Sequence, residues 1–343
     1  MDMRKVLTIL SILTILIGKA NAQEGEFREG LFRYAMFGHS LLSDMHPDFI
    51  RVDMAGITNH PEWDWGQTGK RMRVNIFGWY GFSLPLWSSS HNNGSYDVSV
   101  SIPAAASCWL DIFEPVTAPV VNTDWRVGLP SVAIIRRTQT KVLRNYLISF
   151  SPFKHESTHV GDEILLQRVD YGISLRRVNV SYNYMELSIV LNDPDGILER
   201  CQTVKSGLMI LWKPKSGWYF IDTTDGDASL AQPIISPWEA YLQYQYQSRF
   251  SRRGTQAVAS VEIRNRELYG YPVFNRDAGL TLQSEGRIFT FNILIGLRFC
   301  QLRNTEAFSR ATVGIRAYHG NNPHGMFRNH KDFNQIGICL IIE

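Results

Sequence analysis

The stretch that decides the fold is residues 287–300, which read RIFTFNILIGLRFC. Every second position is apolar, and these positions are Phe289, Phe291, Ile293, Ile295, Leu297 and Phe299. Polar or small residues stand between them, at Thr290, Asn292, Gly296 and Arg298. Successive side chains of a β-strand point to opposite faces, so this alternation predicts a strand with one apolar and one polar face.

The same period of two recurs along the chain, whereas helical periodicity is scarce. It is clear in segments 71–82, 238–247 and 311–319, and weaker near 97–102, 131–137, 172–180, 183–191, 206–213 and 257–266. The clear runs are about ten residues long, as in tilted strands that cross a bilayer, whereas soluble strands average about five or six. Their polar faces carry Arg, Asn, Gln and Glu, which suits a hydrated or hydrogen-bonded interior. We predict an all-β, antiparallel transmembrane β-barrel of roughly 10–14 strands.

The beginning of the chain has the pattern of a secretory signal peptide. Arg4 and Lys5 precede an apolar run at 6–17, and Ala20-Asn21-Ala22 forms a small-x-small cleavage site. We therefore expect a signal peptide at 1–22 and a single outer-membrane barrel domain at 23–343.

Charge and composition restrict the partners. The chain has 35 Lys and Arg against 32 Asp and Glu, a net charge of +3. This near balance excludes a typical nucleic-acid-binding protein, which presents a strongly basic face. The expected partner is the lipid bilayer of the outer membrane, with lipopolysaccharide or phospholipid as its molecular components.

The densest group of chemically active side chains is residues 154–163, KHESTHVGDE. If residues 141–157 form one regular strand, its apolar face meets lipid. His155, Ser157 and His159 would then point into the lumen.

One interpretation of this stretch is structural. Polar groups in a barrel interior must be paired where water is scarce. Glu156, Asp162 and Glu163 have several arginines nearby in sequence, namely Arg126, Arg136, Arg144, Arg168, Arg176 and Arg177. The function predicted on this basis is a structural or narrow-pore envelope protein with a polar cluster in its lumen.

Four segments together resemble a family of bacterial envelope proteins of unknown function. They are residues 41–47 (LLSDMHP), 121–128 (VNTDWRVG), 155–163 (HESTHVGDE) and 318–328 (YHGNNPHGMFR). The third, a His-x-Ser-x-His-x-Gly-Asp-Glu element, is the most specific. The resemblance implies an outer-membrane β-barrel and no particular activity.

An alternative function is that of a membrane-embedded acyl hydrolase. His155-x-Ser157 resembles the catalytic pair of outer-membrane phospholipase A and of lipid A deacylases. His155 would be the general base and Ser157 the nucleophile, with Asp162, Glu163 or Asp170 orienting the imidazole. In those enzymes the pair faces outward, and the orienting residue lies on the next strand, where this chain has Val169.

A third interpretation is a metal site. His155, His159, Asp162 and Glu163 offer nitrogen and oxygen ligands if the chain turns at Gly161. The sequence predicts no other cofactor, although an acyl hydrolase is compatible with a calcium requirement.

Two further histidines lie in the turn-rich segment 318–325. His319 and His324 flank Asn321-Asn322-Pro323, a run of turn-forming residues. We expect both histidines to be loop residues.

Overall fold

In the part of the chain that it describes, the computed structural model contains eighteen β-strands. It describes residues 30–31, 40–58, 73–91, 96–112, 120–138, 140, 143–161, 178–192, 200–211, 218–221, 228–230, 238–249, 251, 254–269, 273–275, 279–281, 284–300, 310–324 and 332–342. Within these ranges, no helix is long and apolar enough to cross a membrane. The strands are Gly30–Leu31 (β1), Ile50–Thr58 (β2), Arg73–His91 (β3), Tyr96–Leu110 (β4), Val120–Gly128 (β5), Ser131–Arg137 (β6), Asn145–Val160 (β7), Val178–Leu191 (β8), Cys201–Leu211 (β9), Trp218–Ile221 (β10), Ala228–Leu230 (β11), Trp238–Gln247 (β12), Thr255–Tyr269 (β13), Val273–Asn275 (β14), Gly279–Thr281 (β15), Ser284–Cys300 (β16), Arg310–Gly320 (β17) and Phe333–Ile342 (β18).

Twelve strand positions form a closed antiparallel barrel. Around the wall the order is β2, β3, β4, β5 with β6, β7, β8, β9, β12, β13, β16, β17 and β18, and β18 pairs back onto β2. Strands β5 and β6 share one position, because both lie between β4 and β7. The prediction of an all-β barrel of roughly 10–14 strands is confirmed.

The outer surface of the wall is apolar. In β16 the side chains of Phe289, Phe291 and Ile295 point outward, and Ile295 is 63% exposed. Asn292 and Arg298 on the opposite face are buried in the lumen. An apolar band facing out and polar groups facing in are what a bilayer requires of a barrel.

Many charged groups inside the barrel form ion pairs. Their ion pairs include Arg316–Asp53 (2.6 Å), Arg264–Glu262 (2.8 Å), Lys205–Asp44 (2.8 Å) and Lys154–Glu186 (2.5 Å). Burying an unpaired charge costs several kcal/mol, on the order of the whole stability of a domain, so pairing is a condition for folding.

Residues 40–49, here called the lumen segment, lie inside the barrel ahead of β2. The segment's backbone donates to wall side chains: Leu42 N–H to Gln245 Oε1 (2.9 Å) and Met45 N–H to Glu262 Oε2 (2.9 Å). Asn292 Nδ2 donates to the carbonyl of Ser43 at 2.5 Å. Gly81 of the wall makes room for the segment because it has no side chain. A Cβ atom at this position would lie 1.8 Å from the carbonyl oxygen of Pro47. The segment therefore fills part of the lumen.

Charge in the lumen segment is set by its surroundings. Burial opposes ionisation of Asp44, but the Lys205 ammonium outweighs it and lowers the pKa of this carboxyl. Burial, with the charge of Arg126, holds the pKa of His46 well below its usual value. Asp44 is thus ionised and His46 neutral at physiological pH.

Residues 320–324 enter the lumen from the other end. The imidazole of His324 stacks on Phe77 (5.2 Å between ring centroids) and lies 5.1 Å from Trp109. Its Nδ1 is 3.4 Å from Asp124 Oδ2. His324 is a loop residue, as expected, but its turn folds into the lumen. His319 lies on β17, so the same expectation was wrong for it.

Two neighbouring wall strands carry an extra residue at the same level. Along β7 the chain advances three residues from Ser151 to Lys154, while β8 advances two, from Glu186 to Tyr184. On the other side, β5 and β6 advance four residues from Val127 to Ser131, while β4 advances three. Such β-bulges reverse which residues face inward beyond them.

Candidate functional site

His155 and Ser157 lie beyond the bulge of β7, and their side chains point outward. Before the bulge the inward positions of β7 include Leu147 and Ser151, and beyond it they are Glu156 and Thr158. The prediction that His155, Ser157 and His159 face the lumen was wrong, because it assumed one regular strand through residue 157. One extra residue exchanges the two faces.

The outward imidazole of His155 is paired with an asparagine on the next strand. His155 and Asn183 are direct cross-strand partners between β7 and β8, and His155 Nδ1 lies 2.8 Å from Asn183 Oδ1. With the amide oxygen as acceptor, Nδ1 carries the proton. Nε2 of the neutral ring is then a free acceptor, which is the state that a general base requires.

Ser157 stands on the same outward face, two residues further along β7. Cα atoms of residues i and i+2 in a strand are about 6.6 Å apart, so these two side chains are neighbours on the outer face. Ser157 is also the cross-strand partner of Trp125 on β5, whose indole is 52% exposed on the outer wall. Serine, histidine and asparagine thus lie together beside an aromatic side chain.

The inward residues of the same stretch have a structural role. Glu156 is buried, and its Oε2 lies 3.7 Å from Nε of Arg126, also buried. The pairing of Glu156 with a flanking arginine was predicted and is confirmed. In this stretch the polar lumen cluster and the His-Ser pair are therefore two separate features on opposite faces of the wall.

Several residues named in the sequence interpretation lie outside the described ranges. They are Asp162, Glu163, Arg168, Val169, Asp170, Arg176 and Arg177. Nothing is therefore established about the orienting role expected of the three acids. Among the residues that the structure does describe, no group of three or more His, Cys, Asp or Glu is arranged to hold a metal ion.

The site lies near one end of the barrel. Ser157 is three residues before the end of β7 at Val160, and seventeen residues (161–177) separate β7 from β8. At the opposite end the connections are shorter, as between β3 and β4 (92–95) and between β6 and β7 (138–144). Apolar side chains cover the outer wall on that side of the site, among them Val127, Phe150 and Leu187.

Two signals in the sequence could have revealed this geometry. Pro130 and Pro152 lie within the bulges, and proline, which cannot donate to a strand ladder, is confined within sheets to edges, strand starts and bulges. A central-strand proline at 152 therefore argued against one regular strand. Asn183 had no such signal, since its pairing with His155 depends on the register of strands separated by an insertion of seventeen residues.

Comparisons with known proteins find similarity in structure but not in sequence. No family model and no curated protein sequence match the chain, so the resemblance to an envelope-protein family is not confirmed. Among solved structures, the chain is similar to outer membrane phospholipase A from Escherichia coli (TM-score 0.46, 11% identity, 95% of this chain and 97% of that one). It is also similar to the calcium-bound dimer of the Salmonella typhi outer membrane phospholipase (0.44, 12%, 87% and 91%) and to the translocator domain of autotransporter NalP from Neisseria meningitidis (0.39, 9%, 86% and 86%). At these identities and scores the likeness concerns architecture alone. The chain's own strand pairing makes it a closed, twelve-stranded antiparallel β-barrel.

Proposed function

We propose that this protein is an acyl hydrolase that cleaves membrane lipids at the outer surface of its barrel. The observation that carries the proposal is the outward His155–Asn183 pair, with Ser157 on the same face. A lipid substrate reaches such a site from the bilayer without entering the lumen. The objection that the pair would face inward no longer applies. In this proposal Asn183 takes the orienting role, in place of the Asp162, Glu163 or Asp170 expected from the sequence.

The chemistry follows from the protonation of His155. Nε2 accepts the proton of the Ser157 hydroxyl as Oγ attacks the ester carbonyl. The imidazolium, stabilised through its Nδ1–H bond to Asn183, then gives this proton to the departing alcohol. Water, activated in the same way, hydrolyses the acyl-serine and releases a fatty acid.

The position of Ser157 supports a lipid substrate from the membrane leaflet that lies at the long-loop end of the barrel. In outer-membrane barrels the short turns face the periplasm and the long loops face outside. Ser157 near the long-loop end of β7 would meet ester groups close to the interface of the outer leaflet. Phospholipid and lipopolysaccharide both carry such esters, and the assay distinguishes them.

The test is acyl release by detergent-folded protein from phospholipid and from lipid A, with calcium and with a chelator. We expect release by the native chain and a loss of at least about a thousandfold in Ser157→Ala. The matched control is Ser149→Ala, a lumen-side serine of the same strand bonded to Ser188 at 2.7 Å. Equal release by the native chain and Ser157→Ala, or none by either when folded, contradicts the proposal.

A structural or narrow-pore function remains the second candidate. It is supported by a cavity of about 60 Å³ beside the lumen segment, lined by hydroxyl groups such as those of Ser83, Ser101 and Ser151. Single-channel conductance in planar bilayers tests it. A stable conductance that increases when Asp44→Ala breaks the ion pair with Lys205 would favour the pore, and a silent barrel would contradict it.

A further inference from the structure

A recess of about 290 Å³ lies in the outer wall where β16, β17, β18 and β2 meet. Its floor follows from the register, in which Ile293, Ala317, Ile336 and Gly56 form one row across the four strands. Ala317 and Gly56 are small and alternate with isoleucines, so the surface is hollow there. The neighbouring outward residue Ile315 is 61% exposed. The recess therefore opens into the apolar band of the wall.

A histidine–asparagine pair stands at one end of the recess. His319 Nδ1 lies 2.7 Å from Asn334 Oδ1, and these residues are cross-strand partners. The amide of Asn334 is held in this orientation because its Nδ2 donates to the carbonyl of Asp332 at 2.8 Å. His319 Nδ1 is then the donor to Oδ1, which leaves Nε2 of the neutral ring as an acceptor.

Within the strands that the structure describes here, no nucleophile stands directly beside this second pair. Its same-face neighbour on β17 is Ala317, at the distance from His319 that separates His155 from Ser157. The hydroxyl of Thr58 belongs to β2, which lies beyond β18 and so about 9.6 Å from β17. A free acceptor without a nucleophile is suited to binding.

The position of the His319–Asn334 pair in the wall determines which part of a lipid can contact Nε2 of His319. His319 is the penultimate residue of β17 and Thr58 the last of β2, so both lie at the edge of the apolar band. A hollow in that band is filled by an acyl chain in a bilayer, because water is excluded from it. The headgroup of the same lipid then reaches the pair and must bring a hydrogen-bond donor. Asp332, exposed at this end, adds a carboxylate that favours a cationic donor.

We propose that this recess binds one molecule of phosphatidylethanolamine. An acyl chain lies over Ala317 and Gly56, and the headgroup ammonium donates to Nε2 of His319. The site is on the opposite side of the barrel from Ser157, since β7 is the fifth and β17 the eleventh of the twelve wall positions counted from β2. The inference is independent of the proposed hydrolase function.

The test is native mass spectrometry of the folded full chain released from detergent micelles with dialkyl ether lipids, which no acyl hydrolase cleaves. The ethanolamine lipid is compared with the choline lipid, whose quaternary nitrogen has no N–H. The native chain is expected to retain one ethanolamine lipid about fivefold more often than the choline lipid, the effect of one hydrogen bond. A phosphatidylglycerol analogue is measured in the same way to test whether an anionic headgroup is retained more strongly.

Three variants locate the site. Ala317→Leu fills the recess and is expected to lower retention of both lipids about tenfold. Val313→Leu, an outward residue of the same strand, should bind as the native chain does. His319→Phe should keep the chain contact and abolish the preference for ethanolamine. Heat-modifiable migration on gels verifies that each variant is folded.

Four outcomes overturn the inference. Equal retention by Ala317→Leu and the native chain excludes the recess, and equal retention of the two zwitterionic lipids by the native chain excludes the headgroup contact. Stronger retention of the anionic lipid excludes phosphatidylethanolamine as the preferred ligand. A protein dimer that Ala317→Leu dissociates would show that a second copy occupies the recess.

Discussion

The described part of the outer wall carries two histidine–asparagine pairs on opposite sides of the barrel, and their surroundings differ. His155–Asn183 and His319–Asn334 are both direct cross-strand pairs, with Nδ1–Oδ1 distances of 2.8 and 2.7 Å. The first has Ser157 two residues after its histidine, and the second has Ala317 two residues before its histidine. A hydroxyl on the same face is therefore what distinguishes the pair proposed as a base from the pair proposed as a lipid contact.

The largest effect is expected when each imidazole is removed in turn, which tests whether the two pairs differ in function. His155→Gln should lower acyl release by at least about a thousandfold, because Ser157 then has no base. His319→Gln should leave turnover within about twofold. Initial rates on one phospholipid, with both variants verified as folded, measure the difference. Similar losses in the two variants would mean that the pairs are not functionally distinct.

Removing each asparagine tests whether the cross-strand bond positions the base. Asn183→Ala should lower kcat by about tenfold and leave KM unchanged, since one hydrogen bond to His155 is lost and no substrate contact is. Asn183→Asp should restore part of the rate, because a carboxylate still accepts from Nδ1–H. Asn334→Ala is the control and should not change kcat. An increase in KM alone for Asn183→Ala would show that Asn183 contacts substrate instead.

The aromatic side chain beside the first pair should have the smallest effect. Trp125 faces lipid across from Ser157, where an acyl chain would pass. Trp125→Ala should raise KM for long-chain substrates by about three- to tenfold and hardly alter kcat, because the lost contact is apolar surface. Phe291→Ala, beside the second pair, is the matched control. No dependence of the KM change on chain length would exclude this role for Trp125.

The lumen segment (40–49) and the inward turn (320–324) show which features of the fold the sequence pattern could predict and which it could not. The alternation in segments such as 287–300 predicted the barrel, its approximate strand number and its polar interior, because each of these depends on side chains within one strand. It did not predict that residues 40–49 and 320–324 fold into the lumen. Their places are decided by partners far along the chain, such as Gln245 for Leu42 and Asp124 for His324.

The candidate site divides in the same way. The sequence by itself determined that His155 and Ser157 share one face of a strand, since two residues apart means the same side. Which side that is was decided by one extra residue between Ser151 and Lys154, matched by another in the neighbouring strand. Asn183 joined the pair only through the register of β7 on β8. A single-residue shift exchanges lumen for lipid, so only the assembled wall could determine that this chemistry faces the membrane.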